Sequence, residues 1–222
     1  MNLALPLIAA LLFQATPAPS PDLQATPTPK PVPVGPTVVL ETTLGTVKIV
    51  LDKDKAPITV DNFLKYVRAK HYDGTIFHRV MPNFMAQGGG MDVQLTEKMV
   101  RPPIRNEAAN GLHNARGTIA MARTNEPNSA TAQFFINVRD NFKLDYGMTG
   151  AGYAVFGQVV EGMDVVDAMV AVPTTSKGPH GNLPMIPIVI KSARELGGPA
   201  PPPAAPKPAA TAKPQTSPSP KK

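Results

Sequence analysis

Four histidines, no cysteine, and an arginine and glutamine embedded in an apolar stretch define the chemistry open to this 222-residue chain. His71, His78, His113 and His180 include no i, i+4 pair and no HExxH motif, so a zinc-hydrolase ligand set is missing. Without cysteine there is no thiolate nucleophile, disulfide framework or thiolate metal site. No serine sits in a GxSxG elbow, which leaves acyl transfer without a nucleophile. The run Gly88-Gly89-Gly90 is not followed by GKS or GKT and reads as a flexible turn, not a phosphate cradle. No cofactor and no metal are expected.

What remains is YDGTIFHRVMPNFMAQGGG, dense in Phe77, Val80, Met81, Phe84 and Met85, with His78, Arg79 and Gln87 among them. On a strand over Ile76 to Met81, period two puts Phe77 and Arg79 on one face and His78 on the other. On a strand over Phe84 to Gln87, Met85 and Gln87 share a face. An arginine beside a glutamine amide and aromatic carbons suits a half-apolar, half-polar pocket. Arg79 reads equally as a surface arginine with its stem along the domain. A second segment, MARTNEPNSATAQFFIN, repeats the theme with Gln133, Phe134 and Phe135.

The elements that must position these residues follow from periodicity. TVVLETTLGTVKIVLD alternates as two strands around Leu44-Gly45. Pro57 to Tyr72 has Val60, Phe63, Leu64 and Val67 at helical spacing, with Pro57 suited to the first turn. Short strands are expected at Ile76 to Met81, Phe84 to Gln87, Thr118 to Ala122, Gln133 to Val138, Ala154 to Val160 and Ile186 to Leu196. A short helix is expected over Met163 to Val170. Many strands and two helices argue a mainly antiparallel β fold with capping helices, and the pattern fits a barrel or a sandwich.

Proline marks the boundaries. The 27 prolines crowd Ala15 to Pro36 and Pro199 to Pro220. Such segments lack the apolar material to offset the entropy of ordering, about 1–2 kcal/mol per residue for the backbone. Residues 16–36 are expected to form a disordered linker, 37–196 the folded domain, and 197–222 a disordered tail. Net charge is +6, and the tail's Lys207, Lys213, Lys221 and Lys222 leave +2 for the rest. The tail suits contact with an anionic envelope, or simply solvation. Nothing resembles a nucleic-acid footprint. Leu3 to Phe13 is a continuous apolar run, shorter than the about 20 residues that span a bilayer. Its length fits the h-region of a secretory signal over residues 1–15, although no Lys or Arg precedes it. Export is expected, with the segment cleaved or retained as an anchor.

Motif by motif, FHRVMPNFMAQGG resembles the FHRVIPGFMxQGG signature of the cyclophilins. GTIAMARTNEPNSATAQFFIN is similar to that family's second motif, and YAVFGQVVEGMDVVDAM to its closing strand and helix. The resemblance spans Val38 to Leu196, in the family's order, and looks most like the exported bacterial members. It implies an eight-stranded antiparallel β-barrel capped by two α-helices. It also implies peptidyl-prolyl cis-trans isomerase activity, acting as a monomer on proline-containing polypeptides and assisting the folding of exported, periplasmic proteins. By position, Arg79 matches the catalytic arginine and Gln87 the glutamine that orients it. Phe84, Met85, Phe135 and Leu144 match the apolar pocket for the proline ring. Ala122, Arg123 and Thr124 match the segment along which the peptide lies, Gln133 the neighbouring groove, and His78 a position beside the site. Some members have Trp where Lys143 stands and His where Tyr153 stands. Either Phe142 fills that wall by a local shift, or the wall is open.

Overall fold

A computed structural model describes residues 34–198. The expected leader, nearly all of the proline-rich linker and all but the first residues of the tail lie outside them. β1 (Thr37–Thr42) and β2 (Thr46–Leu51) meet at the expected turn, where the Thr42 hydroxyl donates to the Gly45 carbonyl at 2.7 Å. Val38, Leu40, Val47, Ile49 and Leu51 point into the main core, as their alternation requires.

α1 (Pro57–Arg68) buries Val60, Phe63, Leu64 and Val67. It stops four residues before the expected Tyr72. Lys70 adopts φ +53°, and Tyr72 turns inward to donate its hydroxyl to the Ala132 carbonyl at 2.9 Å. The helix start is completed from a distance. Glu107 accepts from the Ile58 amide at 3.2 Å, the Thr59 amide at 2.8 Å and the Thr59 hydroxyl at 2.7 Å. A carboxylate there satisfies amides that have no partner within the helix and complements its dipole.

The remaining elements are β3 (Ile76–Met81), β4 (Met85–Gly88), β5 (Thr118–Met121), β6 (Phe134–Asn137), β7 (Val155–Glu161), α2 (Met163–Ala171), β8 (Thr174–Lys177), β9 (His180–Pro184) and β10 (Ile188–Leu196). Eight strands close into an antiparallel barrel in the order β1-β10-β3-β4-β6-β5-β7-β2. Barrel, not sandwich, is therefore the fold, and closure removes every free edge from this sheet. The first and last barrel strands are neighbours, with Thr37 paired to Leu196. β8 and β9 form a separate hairpin that the sequence pattern does not announce, because TTSK is exposed throughout and carries no apolar alternation.

Phe63 is the hub of the core. Its ring lies 5.1 Å from Tyr72, 5.6 Å from Phe134 and 5.2 Å from Phe156, and it is fully buried. The glycine run is not a loose turn. Gly88, Gly89 and Gly90 are all buried, and Gly89 adopts φ +86° with Phe134 and Tyr72 about it so close that a Cβ would overlap both rings. Phe63→Ala is expected to lower unfolding free energy by about 3–5 kcal/mol, measured by urea denaturation.

Candidate active site

The site begins with one extra residue. β3 and β4 pair Met81 with Met85, Val80 with Ala86 and Arg79 with Gln87, but the next pair is Phe77 with Gly88. His78 is thus a bulge, and a bulge of one residue reverses the alternation beyond it. Phe77 joins Val80 and Ala86 in the main core, while Arg79 lies with Gln87 on the other face. The expectation that Phe77 and Arg79 share a face fails for this reason.

The sheet is apolar on both faces. Ile119, Met121, Phe134, Ile136 and Phe156 belong to the main core. The alternate residues Ala120, Phe135 and Val155 join Met85 in a second cluster. Phe84, Ala122, Leu144 and Tyr153 pack on that second cluster and leave a cleft of about 220 Å³, open to solvent at its mouth. Arg79, Gln87 and Arg123 supply its polar rim.

Arg79 Nη1 donates to Gln87 Oε1 at 3.5 Å, and Gln87 Nε2 donates to Gln133 Oε1 at 3.0 Å. The Arg79 guanidinium carbon lies 5.9 Å from the centre of the Phe84 ring. Opposite, Arg123 lies 4.5 Å from the centre of the Tyr153 ring and donates Nε to the Gly152 carbonyl at 2.9 Å. Tyr153 meets Phe135 edge-on at 5.7 Å. Phe84 follows a tight turn in which Asn83 takes φ +57°, a conformation asparagine tolerates.

Of the expected residues, Arg79, Phe84, Met85, Gln87, Ala122, Arg123, Phe135, Leu144 and Tyr153 converge on this cleft. Gln133 sits beside it, reached through Gln87. Thr124 does not line it, and its amide and hydroxyl both engage Ser129 Oγ at 2.9 Å. Phe142 does not line it either. It is half-exposed and packs edge-on against His113 at 5.8 Å. Residues Phe142–Leu144 form a 3-10 turn, which fans successive side chains apart, so Leu144 alone of the three faces the cleft. His78 does not line it. Its imidazole is buried at the bulge, and Nδ1 has no hydrogen-bond partner among the described residues.

Sequence reasoning missed a polar layer beneath the cleft. Asn137 follows Phe135 by two residues on the same face and pairs with Met85. Its amide joins Asn141, Asn114 and Thr118, and Asn114 in turn reaches Asp145. Burial raises the Asp145 carboxyl, but hydrogen bonds from Asn114 and His113 more than offset that and hold it below the usual carboxylate range. The available signal was an asparagine ending the apolar run FFIN, in phase with Phe135. Among the described residues no group of three or more metal-ligating side chains converges, and no helix is long and apolar enough to cross a membrane.

The cleft thus joins apolar walls to a guanidinium at its rim, within a closed antiparallel barrel. The family model for cyclophilin-type peptidyl-prolyl cis-trans isomerases matches residues 37–195. The chain is 55% identical over 157 residues to peptidyl-prolyl cis-trans isomerase A of Dickeya dadantii, covering 71% of this chain and 83% of that one. It is 51% identical over 158 residues to isomerase B of Escherichia coli, covering 70% and 96%. A cyclophilin from Hirschia baltica superposes with a TM-score of 0.60 at 27% identity, covering 74% and 75%. A Cryptosporidium parvum cyclophilin, crystallised in the presence of the dipeptide Ala-Pro, does so at 0.59 and 24%, covering 71% and 96%. The chain belongs to the cyclophilin-type peptidyl-prolyl cis-trans isomerases.

The stranded imidazole has a consequence for stability. Burial, reinforced by the positive neighbourhood of His180 and Arg79, lowers the pKa of His78 from 6.5 to about 4. The unfolded chain therefore binds a proton at this residue between pH 6.5 and about 4 that the folded chain refuses. The His78 contribution lowers stability as pH drops through that window and levels off below it. His71, also lowered chiefly by burial, adds in the same direction. Urea midpoints across this range should decline less steeply for His78→Asn than for the unaltered protein; equal slopes would refute the assignment.

Proposed function

We propose that Arg79 is the catalytic group of this isomerase and that the Phe84, Met85, Phe135 and Leu144 walls hold the proline ring of the substrate. The observation that carries this reading is the placement of Arg79 directly across the strand pair from Gln87, at the rim of the apolar cleft. The barrier to rotation is amide resonance, about 18–20 kcal/mol, and no covalent bond breaks. A donor near the imide nitrogen stabilises its lone pair as the bond twists and resonance is lost. Arginine is always protonated and offers donors in a rigid fork. The Gln87 carboxamide holds that fork by accepting from Nη1, and is itself held by Gln133. One side of the X-Pro bond is gripped in the cleft while the other turns beside Ala122 and Arg123. Thr124 and His78 have no contact role in this reading. The substrates are proline-containing polypeptides, the class to which the dipeptide of the Cryptosporidium structure belongs.

Removing one well-aimed donor costs about 10²–10³-fold in rate at comparable sites. In a peptide isomerisation assay, Arg79→Ala should lose that much in kcat/KM. Arg79→Lys, which keeps the charge but not the fork, should recover only part of it. Full activity in Arg79→Ala would sink the assignment.

The site of action is read from sequence. Residues 1–15 direct export, residues 16–36 and 197–222 act as spacers, and a single chain assists folding of exported proteins in the periplasm or envelope. The apolar run at Leu3 to Phe13 and the proline-rich composition support this. Cell fractionation followed by N-terminal sequencing and sizing of the recovered protein tests it. Recovery from the cytosol with Met1 intact, or as an oligomer, would overturn the corresponding part.

A further inference from the structure

The polar layer beneath the cleft does more than satisfy buried groups. Asn141 Nδ2 donates to the Phe84 carbonyl at 2.8 Å and to Asn137 Oδ1 at 2.8 Å. Asn137 Nδ2 donates to Asn114 Oδ1 at 3.2 Å and to Thr118 Oγ1 at 3.0 Å. Asn114 Nδ2 donates to Asp145 Oδ1 at 3.0 Å and to the Tyr153 carbonyl at 3.3 Å. Each amide nitrogen has an acceptor for both of its hydrogens. Donation runs in one sense along the chain, from Asn141 to Asn137 to Asn114 to the Asp145 carboxylate, and turning any amide over would set like against like, donor on donor or acceptor on acceptor.

The two ends of this chain meet different lining segments of the cleft. Phe84 stands in one, and its carbonyl is doubly engaged, by Asn141 and by the Val138 amide at 3.1 Å. Leu144 and Tyr153 stand in the other. The Leu144 amide donates to the Asn141 carbonyl at 2.8 Å, and the Tyr153 amide donates to the Leu144 carbonyl at 2.9 Å. Asn141 therefore ties the two walls directly, with its side chain on Phe84 and its backbone on Leu144. Asn114 and Asn137 are fully buried and hold Asn141 in register with the sheet.

The geometry points to Asn141, backed by Asn137 and Asn114, as a positioning residue that sets the spacing between the Phe84 and Leu144 walls of the substrate cleft. This rests on the reading of that cleft as the proline-ring site. Phe84 and Leu144 belong to loops on different strands, and the apolar contacts between them and the second cluster have no direction. The amide chain supplies direction, because hydrogen bonds weaken steeply with angle and a half-satisfied buried network is costly. Asn141 touches no substrate atom in this account, so its effect comes through the walls alone.

Two variants test it. Asn141→Ala cuts the tie at its half-buried end, and Asn137→Leu removes the buried relay while keeping the branched side-chain shape. Val60→Ala, a truncation of the main core on α1, controls for lost stability. All are assayed at a temperature where circular dichroism shows them folded. Both asparagine variants should lose roughly ten- to a hundred-fold in kcat/KM, the scale of a sub-ångström to ångström misplacement in a site. The methyl signals of Leu144 and Met85 should shift in both, and neither signal nor kcat/KM should change in Val60→Ala. A folded Asn141→Ala with unaltered kcat/KM would overturn the inference, and so would an equal loss in Val60→Ala. Should Asn137→Leu fail to fold, Asn141→Ala decides alone. Equal activity of the unaltered protein and Arg79→Ala would instead overturn the reading of the cleft itself.

Discussion

Between Phe77 and Arg79 the β3–β4 ladder takes in a residue that β4 does not match, and the position of the guanidinium follows from that residue. A strand can serve a barrel core and an external site together only if its side chains divide between the two faces in the right phase. Phe77 must enter the core to fill the space beside Phe134, where the rings meet edge-on at 5.9 Å. Arg79, two positions later, must leave it. Strict alternation forbids both, and the bulge permits both. The displaced residue, His78, bears the cost as a buried imidazole whose Nδ1 has no partner among the described residues.

The rest of the site follows from a sheet with two apolar faces. One packs on the barrel core, the other on the second cluster, so the floor of the cleft is as rigid as the core behind it. Rigidity suits a reaction in which nothing is made or broken. The enzyme must hold one half of a peptide still while the other half rotates, and present a donor that needs no reorganisation when the amide loses its resonance. Arg79 is held by Gln87 of β4, and Gln87 by Gln133, the residue that leads into β6.

Much of this was legible in the chain. Alternation in TVVLET and TVKIVL located the first hairpin, helical spacing located Phe63 and Val67, and Phe84, Met85 and Phe135 stood in two apolar segments, while Leu144 came only from the family resemblance. The phase of Arg79 was not legible, because a bulge leaves no mark in period-two reasoning. The β8–β9 hairpin was hidden because β8 is polar and exposed throughout and β9 buries only Leu183 and Pro184 at its end, so neither strand alternates. Phe142 misled because it stood beside Lys143 in sequence, where only the local 3-10 geometry decides which residue turns inward. Glu107 and the three asparagines escaped because their partners are distant in sequence, and no local pattern couples an asparagine at the end of a strand to a carbonyl in another turn.

One feature of the barrel bears on how the protein would respond to force. β1 and β10 are antiparallel neighbours, and Thr37 faces Leu196, so the chain enters and leaves the barrel at the same point. Tension between the two ends would load the β1–β10 ladder from one end. Its hydrogen bonds would open one pair at a time, like a zip, and would not share the load as they do when strands are sheared lengthwise. A pull on one end alone, with the other free, would spare that seam. The domain is thus mechanically weakest when held by both ends.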